Sequence, residues 1–172
     1  MSEETQASAA PAQPAFSIEK IYVKDASLEI PGAPSIFLER ESPQIEIQLS
    51  TAGSNVAEGI YDATITATIT AKLGERTMFL VEVSQGGVFR IVNVPEAELA
   101  PILGIACPNI LFPYLRETVS DLTVRAGFPP VLLNPVNFEA LYAQSAAARA
   151  QAQTEQVPAE PASANNGSGT TH

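Results

Sequence analysis

From residue 61 to 73 the chain alternates without a break: Tyr61, Ala63, Ile65, Ala67, Ile69, Ala71 and Leu73 fall on one side, and Asp62, Thr64, Thr66, Thr68, Thr70 and Lys72 on the other. A period of two predicts a strand with one buried face, and at about 3.4 Å per residue it runs roughly 40 Å, about twice the usual length. Residues 44–50 repeat the pattern with Ile45, Ile47 and Leu49 against Glu46 and Gln48, predicting a half-buried strand, and 51–59 read as a polar loop. The stretch 16–30, FSIEKIYVKDASLEI, mixes β-branched and aromatic residues with charges. It predicts a long first strand with a bulge that changes which face its apolar residues occupy. Pro31-Gly32-Ala33-Pro34 forms a turn, and residues 35–43, with Ile36, Phe37 and Leu38 before Glu39-Arg40-Glu41, form a crossover connection. Gly74 marks a hairpin from which 77–84 return antiparallel, and Gly86-Gly87 predicts an interruption before Val88 to Ile91.

The period then changes. Residues 95–103 predict a short helix that opens on Pro95, carries Glu96 and Glu98 near its positive end and closes at Gly104. In CPNILFPYLRETVSDLTVRAG, Leu111, Leu115, Val119, Leu122 and Ala126 share one helical face, with Arg116, Glu117, Ser120, Asp121 and Arg125 on the other. That helix is expected to start between Pro108 and Pro113 and to end at Gly127, before Phe128-Pro129-Pro130. Asn137 is the expected N-cap of a last helix bearing Phe138, Leu141, Tyr142 and Ser145. Four strands followed by helices indicate an α+β fold, a four-stranded antiparallel sheet with two main helices packed on one face. The threonine row of 61–73 suits a solvated face or a flat contact between sheets, and the strand length favours the contact, so self-association is expected. Residues 1–15 and 151–172, rich in Ala, Gln, Pro and Ser, are expected to be disordered around one domain at 16–150.

Composition narrows the chemistry. One cysteine allows no intramolecular disulfide, and the one histidine is the terminal His172, which leaves no Ser-His-Asp or Cys-His constellation and no Cys/His metal site. Cys107 reads as a packing residue. Glu39 with Glu41, or Glu96 with Glu98, are the carboxylate pairs a hydrolase would need, but their charged or helix-start contexts suit a solvated surface. No cofactor is expected. A net charge of -10 disfavours nucleic acid and anionic lipid and favours a basic protein partner. The opening residues lack a basic n-region and an apolar h-region, and no apolar run approaches the roughly 20 residues of a membrane span, so a cytoplasmic location is expected.

The segments CPNILFPYLRE, FLVEVSQGGVF, IYVKDASLE and PPVLLNPVNFEALY closely resemble the SecB family of bacterial protein-export chaperones over about residues 16–144, and the occurrence of all four in the right order makes the resemblance highly specific. The resemblance implies a dimer of dimers that holds unfolded precursor proteins in a translocation-competent state in the cytoplasm and delivers them to the motor ATPase SecA without nucleotide. It assigns Asp25, Glu29, Leu80 and Glu82 to docking of the basic, zinc-binding C-terminal segment of SecA. It assigns client binding to Ile45, Ile47 and Leu49 on the second strand and to Leu141 and Tyr142 on the last helix, with the crossover around Phe37 as a flexible cover. This chain departs from many relatives in having no tryptophan in the crossover, where Arg40-Glu41-Ser42-Pro43 stands. A SecB-like chaperone dedicated to one client, such as an antitoxin, is the alternative; the full acidic and Leu-Glu docking set argues for general export.

Overall fold

The computed structural model describes residues 13–155, so the expectations for 1–12 and 156–172 lie outside the described residues. Four strands, β1 (Ala15–Glu29), β2 (Gln44–Ala57), β3 (Ile60–Leu73) and β4 (Arg76–Val92), form one antiparallel sheet in the order β1-β4-β3-β2. A single turn of 3-10 helix, Ser35–Leu38, lies in the crossover. The helices follow: α1 (Glu96–Pro101), a π-helical turn at Ile102–Ala106, α2 (Cys107–Arg125) and α3 (Phe138–Glu155). The last helix therefore runs past residue 150.

The register explains the core. Ala63, Ala67 and Ala71 alternate with Ile65 and Ile69 on the covered face of β3, and Phe79, Val81 and Val83 continue that face on β4; all are buried. On top lies α2, whose Leu111, Leu115 and Val119 are fully buried and whose Ala126 is nearly so, the face its periodicity predicts. Gly127, at φ 86°, ends α2 in the left-handed conformation, with Phe128 N–H donating to the Thr123 carbonyl and Gly127 N–H to that of Val124. That is the paired C-terminal closure a glycine permits. Asn137 caps α3 by accepting from Ala140 N–H at 3.0 Å.

Several boundaries differ from the sequence reading, each for a physical reason. Thr51 to Ala57 extend β2 instead of looping, because backbone pairing with β3 from Thr51↔Ile65 to Ala57↔Ile60 is indifferent to side-chain polarity. Gly86 and Gly87 do not interrupt β4: they remain paired with Thr64 and Ala63 and make room for neighbours. The Tyr22 ring lies over Gly86, where a Cβ would stand 2.6 Å from Cζ. Bulges in β1 between Ile18 and Lys20 and between Val23 and Asp25 are where its face changes.

Helix α2 starts at Cys107 with Pro108 in its first turn and Pro113 inside, and Gly104 closes nothing. Helical backbone is continuous from Glu96 to Arg125 because the π-helical turn absorbs the junction. By length and composition alone this run is long and apolar enough to cross a membrane, contrary to the expectation that no such run exists. Here the sheet receives its apolar side. Of the two helices expected on the sheet, α2 packs on β3 and β4, while α3 packs chiefly on the π-helical turn. Phe138 meets Phe112 edge-on at 5.7 Å, and a Cβ at Gly104 would overlap the Tyr142 ring.

Replacing Leu115, fully buried between α2 and the sheet, with alanine is expected to cost about 2–5 kcal/mol. A urea titration followed by circular dichroism checks it; a change under about 0.5 kcal/mol would mean that α2 is not seated on β3 and β4 as described.

Candidate binding surfaces on the two faces of the sheet

Residues paired across an antiparallel ladder share a face. On β2 the pairing Ile45↔Ala71, Ile47↔Ile69 and Leu49↔Ala67 turns the three apolar residues toward the helical side. Yet α2 sits over β3 and β4, and the π-helical turn reaches β2 only near Gly53, so the Ile45–Ile47 part of the outer strand is uncovered. Ile45 is 46% exposed and Ile47 44%, whereas Leu49 is half-buried against the core.

At one end of this row a cleft of about 440 Å³ is lined by Phe37, Ile45, Met78, Phe79 and the segment Gly127 to Val131. Its wall is aromatic: Phe37, 47% exposed, stacks on Phe128 at 5.3 Å, and Phe128 lies 4.8 Å from Phe79. Glu39 and Glu41 form its rim, and Glu39 Oε1 accepts from Arg76 Nη2 at 2.7 Å, which ties the crossover to the β3–β4 hairpin. At the other end, Thr51, Gly53, Leu103, Gly104, Tyr142 and Arg149 surround a smaller, more polar cavity of about 190 Å³. From Ile45 to Gly53 the groove along β2 is thus about 27 Å long. Five of the six expected client residues flank it: Phe37 and Ile45 at the cleft, Ile47 and Leu49 between, and Tyr142 at the far end. Leu141 is half-buried against the core. Reading the sequence missed Phe128 to Val131 and Met78 as lining; Phe128-Pro129-Pro130 read only as a helix stop, though an aromatic beside two prolines carries no periodicity.

Among the described residues no helix lies on the opposite face. There Glu29 pairs with Leu80, Ser27 with Glu82 and Asp25 with Ser84, so the structure brings the four expected docking residues, Asp25, Glu29, Leu80 and Glu82, onto one patch of two adjacent strands. Asp25 and Glu29 are exposed, and Leu80 and Glu82 half-buried. The threonine row of β3 lies beside them: Thr68 Oγ1 donates to Glu82 Oε2 at 2.8 Å, and Thr66 and Ser84 share a hydrogen bond at 2.8 Å. Farther along, Tyr22 crosses Gly86 to donate to Asp62 Oδ1 at 2.8 Å, and its own ionisation is pushed up, first by that hydrogen bond. No feature of the sequence pattern pointed to this contact, which joins β1 to β3 across an intervening strand.

Among the described residues no group of three or more His, Cys, Asp or Glu is placed to hold a metal ion. Glu96 and Glu98 are exposed in the first turn of α1, and Glu39 is engaged by Arg76.

The family model "Preprotein translocase subunit SecB" matches residues 9–149. Among curated relatives, the protein-export protein SecB of Methylobacillus flagellatus is 60% identical over 149 residues, covering 87% of this chain and 95% of its own. That of Chromobacterium violaceum is 63% identical, covering 81% and 93%, and that of an Azoarcus strain 64%, covering 80% and 92%. Among solved structures, a SecB-like chaperone of Mycobacterium tuberculosis in complex with an antitoxin peptide superposes with a TM-score of 0.59 over 70% of this chain and 90% of that one. At 18% identity it speaks to the fold alone.

Cys107 is fully buried at the base of α2, and burial pushes its thiol up to about 12. A thiol of raised pKa stays protonated and unreactive in the folded protein. The native chain at pH 8 is expected to resist a disulfide reagent for hours and to react within minutes in denaturant. Because the folded pKa exceeds the unfolded one, the associated stability is complete below about pH 9 and lost as pH rises toward 12. Rapid native labelling would mean that the α2 N-terminus opens.

Proposed function

The chain belongs to the SecB family, and from that premise we propose that it is a protein-export chaperone that binds unfolded precursor proteins in the cytoplasm, keeps them competent for translocation and delivers them to SecA. The observation that carries this reading is the match itself, about 60% identity over more than four fifths of the chain to relatives named for protein export.

The groove along β2 supplies a physical means of holding clients. Burial of hydrocarbon is non-directional, so exposed Ile45 and Ile47 and the Phe37–Phe128 wall accept many sequences. As an edge strand, β2 also offers backbone hydrogen bonds that do not depend on the client's side chains. Phe37, Ile45, Ile47, Leu49, Leu141 and Tyr142 are the client-binding residues in this reading. Asp25, Glu29, Leu80 and Glu82 are its docking residues for the basic zinc-binding segment of SecA, with Leu80 as the apolar anchor among three carboxylates.

The assembly in this reading is a homotetramer. Its support is an apolar row on the other edge strand, where Phe16, Ile18 and Val23 of β1 are exposed on the helical side beyond the reach of α2. An uncovered edge strand with an apolar face is a surface that pairs with another copy.

Replacing Ile45 and Ile47 together with serine is expected to weaken holding of a denatured precursor about tenfold or more, given about 1.5–3 kcal/mol for each fully buried isoleucine. Native mass should stay near four times 18.1 kDa. Loss of the tetramer in this variant, or undiminished holding, would remove the groove from client binding.

Reversing Asp25, Glu29 and Glu82 to lysine should sharply lower affinity for the SecA segment and leave the residual binding less dependent on salt, with precursor holding retained. Calorimetric titration at low and high ionic strength is the check. Parental affinity and salt slope in the variant would move the docking site elsewhere.

A further inference from the structure

The uncovered face of the sheet carries cations as well as carboxylates, and the structure keeps them apart. Lys72 Nζ is held by Glu46 at 3.0 Å, Arg90 Nε by Glu19 at 3.0 Å and Lys24 Nζ by Asp62 at 3.3 Å. Among the described residues, Asp25 and Glu29 enter no side-chain hydrogen bond or ion pair, and Glu82 accepts only from the neutral Thr68 hydroxyl. The acidic patch is therefore uncompensated because each of these three cations is engaged by a carboxylate outside the patch.

One of the three cations is critically placed. Lys24 directly precedes Asp25 at a β-bulge, and its flexible four-carbon stem carries its ammonium across the sheet to Asp62 of β3 instead of leaving it beside the docking carboxylates. Asp62 decides between the two. Its side chain, 16% exposed, accepts from Tyr22 at 2.8 Å through Oδ1, and Oδ2 receives Lys24 at 3.3 Å and Thr64 at 3.4 Å. Tyr22 reaches it only because Gly86 lies beneath the ring. The carboxylate is fixed by two neutral donors before the lysine arrives, which makes it a preorganised counter-ion on a rigid inner strand.

We propose that Asp62 is a positioning residue for docking: by drawing Lys24 away from Asp25 it keeps the acidic patch uncompensated and so sets affinity for a basic partner. The inference rests on the docking reading above. Lys20, the other lysine of β1 on this face, pairs opposite Val88 near the far end and does not adjoin the patch.

The test is a set of calorimetric titrations with the zinc-loaded SecA C-terminal peptide at low ionic strength, using the full tetrameric protein. Asp62→Asn keeps the shape of the side chain and an oxygen for Tyr22 but releases the lysine. It should weaken binding about two- to fivefold, the scale of one exposed ion pair. Adding Lys24→Gln to Asp62→Asn should restore parental affinity, a rescue that no merely structural role for Asp62 would give. Glu19→Gln removes the same charge from the same face and frees Arg90 at the far end, and should match the parent.

Parental affinity in D62N overturns the proposal, as does failure of K24Q to rescue it or an equal loss in E19Q, which would make net charge the cause. If D62N melts below the parent, Lys24→Met alone decides: its affinity must be at or above the parental value, and a loss overturns the proposal. Glu82→Gln separates the two levels of argument. If it binds like the parent, the docking reading itself fails; if it binds weakly while D62N does not, only the role of Asp62 falls.

Discussion

The seating of one helix on the two central strands is the constraint from which the rest of the molecule follows. A helix with its side chains is about 10–12 Å wide, and strands lie about 4.8 Å apart, so α2 covers two strands and no more. The alanines of β3 draw it close: Ala63, Ala67 and Ala71 are fully buried under it, with Ile65 and Ile69 filling the spaces between. On that side Ile21 and Leu28 of β1 and Leu49 of β2 still reach the edge of the core, but Phe16, Ile18, Val23, Ile45 and Ile47 are left exposed. The groove beside Ile45 and Ile47 and the row of Phe16, Ile18 and Val23 have this common origin. A second helix laid flat on the sheet would abolish one of them, and α3 instead packs on the π-helical turn and on Phe112.

The other face is stabilised differently. With no helix of the described residues on it, its side chains find partners within the sheet, through Thr66 with Ser84, Thr68 with Glu82, Tyr22 with Asp62 and three ion pairs. Exposed pairs of this kind contribute little to stability. Their larger effect is on the potential at the surface, because each pair removes a cation from play and leaves the remaining carboxylates to act at range.

What was legible in the sequence is what periodicity encodes. The alternation over 61–73, the helical face of Leu111, Leu115 and Val119, the Gly127 closure and the Asn137 cap are local regularities, and the fold follows from them. What escaped reading is set by partners distant in sequence. The polar second half of β2 is a strand because β3 offers it a ladder; Gly86 belongs to a strand because Tyr22 needs its missing side chain; Gly104 continues a helix because Tyr142 packs on it. The candidate site divides the same way. Its β2 and β4 residues were identifiable from motif and alternation, whereas Phe128 to Val131 line the cleft only through the turn that α2 makes at its end. Asp62 was one more polar residue in an alternating strand until the register brought β1 across β4 to reach it.

The pleat of the strands places the two proposed surfaces back to back. On β2, Ile45, Ile47 and Leu49 face the groove and Glu46 and Gln48 face away; on β1, Leu28 is on the helical side and Asp25 and Glu29 on the other. A client lying along the groove and a basic segment lying on the acidic patch are thus separated by the thickness of one sheet and share no side chain. Their physics is separate as well, since burial of hydrocarbon in the groove is nearly insensitive to salt and attraction to exposed carboxylates is screened within about 10 Å at 0.1 M. Occupancy of one face therefore need not displace the occupant of the other. Under the proposed function, client and motor segment would not compete for the same residues, and release of the client would need a driving force other than such competition.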